Sequence, residues 1–165
     1  MIDKVFGELN HDYGFFETVS GKTIKCFGEE SEVRILIQAE EEEDGISDVQ
    51  YEAYISLMKK WDEVQEAVAD SIINYYNKEE KGAYGPSDEE EFKTWWPDIE
   101  TRADVALNVH LESIVIPPEF LMDGERTITL CFNRDWGGED LDDNGVAVRL
   151  VDEEVDEVGY KDIAY

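Results

Sequence analysis

The stretch SDVQYEAYISLMKKWDEVQEAVADSIINYY, running from Ser47 to Tyr76, decides how the rest of the chain is read. Its apolar residues Val49, Ala53, Leu57, Trp61, Val64, Val68, Ile72 and Tyr75 recur at steps of four or three, which sets them on one face of an α-helix and fits no strand. At its start, Ser47 and Gln50 form a capping-box pattern, and Ile46 is placed to staple onto Tyr51. Its stop falls at Gly82 or slightly earlier. Neither Gly nor Pro interrupts the run, so the spacing predicts one core helix of about eight turns, long enough to cross a small domain.

On the N-terminal side of this helix the sequence reads as short strands with tight turns: Val5 to Leu9, Gly14 to Val19, Lys22 to Phe27 and Ser31 to Ala39. They form an antiparallel meander, followed by the acidic run Glu40 to Asp44, which like-charge repulsion makes a solvated loop. On the C-terminal side, Lys78 to Glu91 is polar and carries Gly82, Gly85 and Pro86, so it reads as an exposed linker. Pro97 disfavours helix at Trp96. Thr101 caps a short helix through about Asn108. A second antiparallel strand series then runs Val109 to Ile116, Arg126 to Asn133, Gly145 to Val151 and Glu154 to Tyr160. The fold class expected is α+β, with antiparallel strands in two series packed around one long helix. The chain is one domain over 1–165, with sub-parts 1–80 and 92–165.

Composition narrows the function. The 165 residues are 42% hydrophobic and 12% aromatic, enough to build a core, yet Asp plus Glu number 42 against 14 Lys plus Arg, a net charge of −28. That excess opposes direct binding to nucleic acid, where affinity comes from cations on phosphates, and points to a basic protein partner. A halophilic surface would share the composition. No run approaches the ~20 apolar residues of a membrane span, and the N-terminus lacks the apolar core of a signal peptide, so a cytoplasmic protein is expected. Cys26 and Cys131 lie in strand-like runs, where small buried hydrophobes are expected.

No catalytic set emerges. The two histidines, His11 and His110, are far apart, neither cysteine sits in a CxxC pattern, and there is no phosphate loop or dinucleotide fingerprint. No catalytic residue, cofactor or metal is therefore expected. Asp140-Leu141-Asp142-Asp143-Asn144-Gly145 matches the first half of a calcium loop, but the closing position is Val151, and a hairpin turn at Asn144-Gly145 explains the same residues. The remaining candidates are surfaces that combine aromatic rings with carboxylates, a composition suited to gripping Lys and Arg. One is Trp136 with Glu139, Asp140, Asp142 and Asp143. The other is Trp95 and Trp96 with Asp88, Glu89 and Glu90.

Leu111 to Pro117, Phe132-Asn133-Arg134-Asp135-Trp136, Gly145-Val146-Ala147-Val148 and Val158 to Ala164 resemble a family of small acidic bacterial proteins known as a domain of unknown function. Phe6-Gly7-Glu8-Leu9, Gln50 to Tyr54 and Tyr75-Tyr76 are similar to related bacterial domains. These are packing residues, so the resemblance speaks to fold. Such families resemble immunity proteins encoded beside polymorphic toxins, which implies a non-enzymatic inhibitor of a basic toxin domain such as a nuclease. The alternatives are a DNA-mimic regulator of a nucleic-acid-binding protein, and an enzyme or calcium-binding module.

Overall fold

The computed structural model describes residues 1–138 and 144–165. In chain order it contains strands β1 (Ile2–Asp3), β2 (Gly7–Asp12), β3 (Phe15–Thr18), β4 (Lys22–Cys26) and β5 (Glu29–Gln38). Helices α1 (Asp48–Lys59), α2 (Trp61–Tyr75), α3 (Glu89–Trp95) and α4 (Arg102–Asn108) come next. The chain closes with β6 (Val109–Ile116), the one-turn helix α5 (Glu119–Met122), β7 (Thr127–Arg134), β8 (Val146–Val151) and β9 (Glu154–Gly159). The fold is mixed α and β, with a large sheet and several helices.

Period-two burial along β5 and β7 explains why both are central strands. In β5, Val33, Ile35 and Ile37 are fully buried on one face, and in β7, Ile128, Leu130 and Phe132 do the same. On one side, β5 pairs with β4 through its first half and with β3 through its second. On the other it pairs with β6, and that pairing is parallel, from Arg34 opposite Ser113 to Ile37 opposite Ile116. The helices are the crossover that a parallel pair requires.

This parallel pair corrects the expected architecture. The pairing is not antiparallel throughout, and the two strand series join at this pair into one sheet, ordered β1-β2-β3-β5-β6-β7-β8-β9 with β4 attached to β5. β5 and β6 carry near-continuous buried runs, Ile35–Ile37 and Ser113–Ile116, as strands of a parallel pair covered on both faces do.

The long helix is also corrected. Its N-terminal capping box is formed: Ser47 Oγ accepts from the Gln50 N–H at 3.3 Å, and Gln50 Oε1 accepts from the Ser47 N–H at 3.0 Å. Leu57, Trp61, Val64, Val68 and Ile72 are buried as the spacing predicts. The helix nevertheless breaks at Lys60, whose ψ of 14° leaves the helical path. Immediately beyond, the Trp61 indole N–H donates to the Lys25 carbonyl at 2.8 Å. A long-range anchor to β4 thus holds the chain where no Gly or Pro breaks it.

The opposite sheet face has a smaller core of Leu36, Val115, Cys131, Ala147 and Ala164, the last from a 3-10 turn at Lys161–Ala164. Cys26 packs in the helix-side core instead, so the two free thiols lie on opposite faces. Burial pushes them up to about 12 and about 11, respectively.

Candidate protein-binding site

The described part of one segment picked out by composition, Trp136 to Gly138, meets Trp95 of the other in space. A π-helical turn at Tyr76–Glu80 follows α2 and redirects the chain, with the Lys81 N–H donating to the Tyr76 carbonyl at 2.8 Å. It turns Glu80 inward, so this part of the expected exposed linker is interior. There Glu80 Oε1 accepts from Arg134 Nη1 at the end of β7. Arg134 also donates to the Tyr84 hydroxyl at 3.4 Å and lies over the rings of Trp136 and Tyr160, 5.8 and 5.4 Å from their centroids. Burial raises the Glu80 carboxyl above its ordinary range, with the Arg134 guanidinium opposing the shift.

Aromatic rings wall this ion pair. Tyr76 packs on Trp136 at 4.8 Å, and its hydroxyl donates to the Pro97 carbonyl at 2.6 Å. Tyr84 meets Trp96 edge-on at 5.0 Å, and the Trp96 indole N–H donates to the Tyr84 carbonyl at 3.0 Å. The 136–138 segment is tied to α3 by the Gly137 N–H, which donates to the Trp95 carbonyl at 2.8 Å. Gly138 has φ +91°, and a Cβ there would sit 2.8 Å from the Trp95 ring. Only glycine allows that approach.

Burial separates the expected partner residues. Trp96 and Trp136 are each 2% exposed and lie in the core, where Tyr76 packs on Trp136 and Tyr84 on Trp96. Trp95 is half-buried. Asp88 caps α3, accepting from the Glu90 and Glu91 N–H groups at 3.0 Å each, and Glu89 and Glu90 are exposed in the first turn. Glu139, Asp140, Asp142 and Asp143 lie outside the described residues, and the calcium-loop reading falls there too. What is described of the site is thus an acidic helix start joined through Trp95 to the glycine pair.

Two features went unnoticed in the sequence. His110 bridges two carboxylates, with Nε2 2.9 Å from Asp135 and Nδ1 3.1 Å from Glu29. Burial works against its charged form, but the bonds to Asp135 and Glu29 outweigh it and raise the ring above its ordinary value. The second feature is a groove of about 510 Å³ between α2 and α4. Its only sequence signal is the i, i+4 spacing of Asp62, Glu66 and Asp70, which an ordinary solvated helix face shares.

The arrangement defines an acidic mixed α/β domain whose aromatic and charged interior joins distant segments. The chain belongs to the family described as a domain of unknown function, DUF6985, whose model matches residues 5–165. No curated protein matches the chain. No solved structure matches it either. Among the described residues, no helix is long and apolar enough to cross a membrane.

Proposed function

We propose that this protein is a non-enzymatic acidic binding protein that captures a basic protein partner, in the manner of an immunity-type inhibitor covering the active site of a toxin domain such as a nuclease. The observation that carries the reading is the disposition of charge. Every arginine, namely Arg34, Arg102, Arg126, Arg134 and Arg149, already pairs with a carboxylate of the same chain. With 42 acidic residues against 14 Lys plus Arg, most acids remain unneutralised. Such a field speeds encounter with a basic surface, while apolar contacts hold the complex.

Isothermal titration calorimetry against a basic nuclease toxin domain encoded beside this gene, with its nuclease activity followed in parallel, tests the proposal. Tight binding that weakens with salt and abolishes cleavage is expected. Absence of binding at low salt overturns it. Binding without inhibition retains the basic partner and removes the inhibitor role.

A further inference from the structure

We infer that the groove between α2 and α4 docks a partner segment that presents an apolar side chain flanked by lysines or arginines; this rests on the acidic-binding reading above. The floor is apolar: Phe27 enters from the β4–β5 turn, and Ala69, Ala103 and Ala106 contribute only methyl groups, leaving room for a side chain supplied from outside. At about 510 Å³, the space is in the ordinary range for a binding cleft.

The floor is built rather than incidental. Phe27 has φ +52°, a conformation that costs a bulky residue energy. Its ring is stacked on the buried Phe132 at 5.8 Å, and its N–H donates to Gln65 Oε1, from a residue that itself lines the groove, at 2.8 Å.

The rim decides the chemistry of the occupant. Asp62 and Glu66 line it, and Asp70 follows one turn further along α2. The cation there, Arg102, is already engaged: it donates to both Asp70 oxygens at 2.8 Å each and approaches Glu66 at 3.6 Å. Its guanidinium holds the Asp70 carboxyl below the usual carboxylate range. Three carboxylates against one guanidinium leave the rim negative, so an acidic occupant is repelled and a basic one attracted. An apolar anchor with cationic neighbours satisfies floor and rim together.

The test uses the full chain and two synthetic 14-residue peptides of equal positive charge, one of leucine and lysine in helical spacing and the other of serine and lysine. Ala103 is exposed, so Ala103→Trp fills the groove from its solvent side; Glu66→Lys takes the rim from two net negative charges to none. Expected results are saturable binding of the leucine peptide, with amide shifts at Gln65, Ala69 and Ala106, at least tenfold weaker binding of the serine peptide, and at least tenfold loss of affinity in either variant. Circular dichroism checks that each variant is folded. Equal affinity of the two peptides, or unchanged affinity in folded Glu66→Lys, overturns the inference. If binding is instead lost in Glu89→Gln/Glu90→Gln and kept in the groove variants, the groove is overturned while the acidic-binding reading stands. If neither peptide binds at low salt, the groove is overturned, and the acidic-binding reading is decided by the titration against the toxin domain.

Discussion

Glu80 and Arg134, 54 positions apart, form an ion pair whose side chains are 2% and 1% exposed. The pair links the turn after α2 to the end of β7 and thereby fixes the aromatic residues between them. A charge so enclosed has lost its hydration, and removing one partner strands the other. Glu80→Gln or Arg134→Met alone is therefore expected to cost about 3–5 kcal/mol of stability, whereas an apolar replacement of both at similar volume recovers most of that loss. Urea denaturation of the two single variants and the double variant measures this. Additive losses in the double variant would show that the two side chains act separately.

Gly138 is expected to tolerate no side chain. Alanine there meets both a positive φ and the Trp95 ring, so Gly138→Ala should destabilise by about 1–3 kcal/mol and expose Trp95. A red shift of tryptophan emission, lost in the Trp95→Phe background, is the readout. An unchanged spectrum and melting temperature would contradict the close approach.

His110 should titrate above its ordinary value of 6.5. Because its folded-state value is raised, its stabilising contribution is fully present below the unfolded value and is lost as pH rises through the folded one. The ring is partly exposed, so the effect on stability is small. Titration of the ring by NMR gives the value directly, and Asp135→Asn should lower it. A wild-type value at or below 6.5 would remove the bridge.

The charge of −28 predicts stability that grows with ionic strength, since salt at 0.1 M screens repulsion beyond about 10 Å. Melting temperature should rise from low to moderate sodium chloride and then level off. A flat or falling curve would mean that the ion pairs, which salt weakens, outweigh the repulsion.

Much of the fold was legible because it rests on local signals. Val109–Ile116 is a strand with the expected bounds, and Thr101 caps α4 in a box with Asp104. Both follow from bonds between near neighbours and from apolar spacing, which are properties of a short stretch. The candidate site was less legible. Trp95, Trp96 and Trp136 stood out as aromatics beside acids, but such a pattern looks the same whether the ring faces a partner or the core. Glu80 carried no mark distinguishing it from the other carboxylates, because its role depends on a residue 54 positions away.

By itself, the sequence determined most of the strands, the Ser47 and Thr101 caps, the apolar face of the Ser47–Tyr76 stretch and the acidic composition. It missed β1 and the Asp88 cap of α3, and began the first strand at Val5, where the chain still turns, rather than at Gly7. Only the tertiary structure decided that β5 and β6 run parallel in one sheet, that the helix breaks at Lys60, and that Glu80, Arg134 and the tryptophans enclose one another. The physical reason is one of range. Hydrogen bonds within a turn and side-chain periodicity act between residues three or four apart, whereas strand pairing, ring stacking and burial of an ion pair compare competing arrangements of the whole chain.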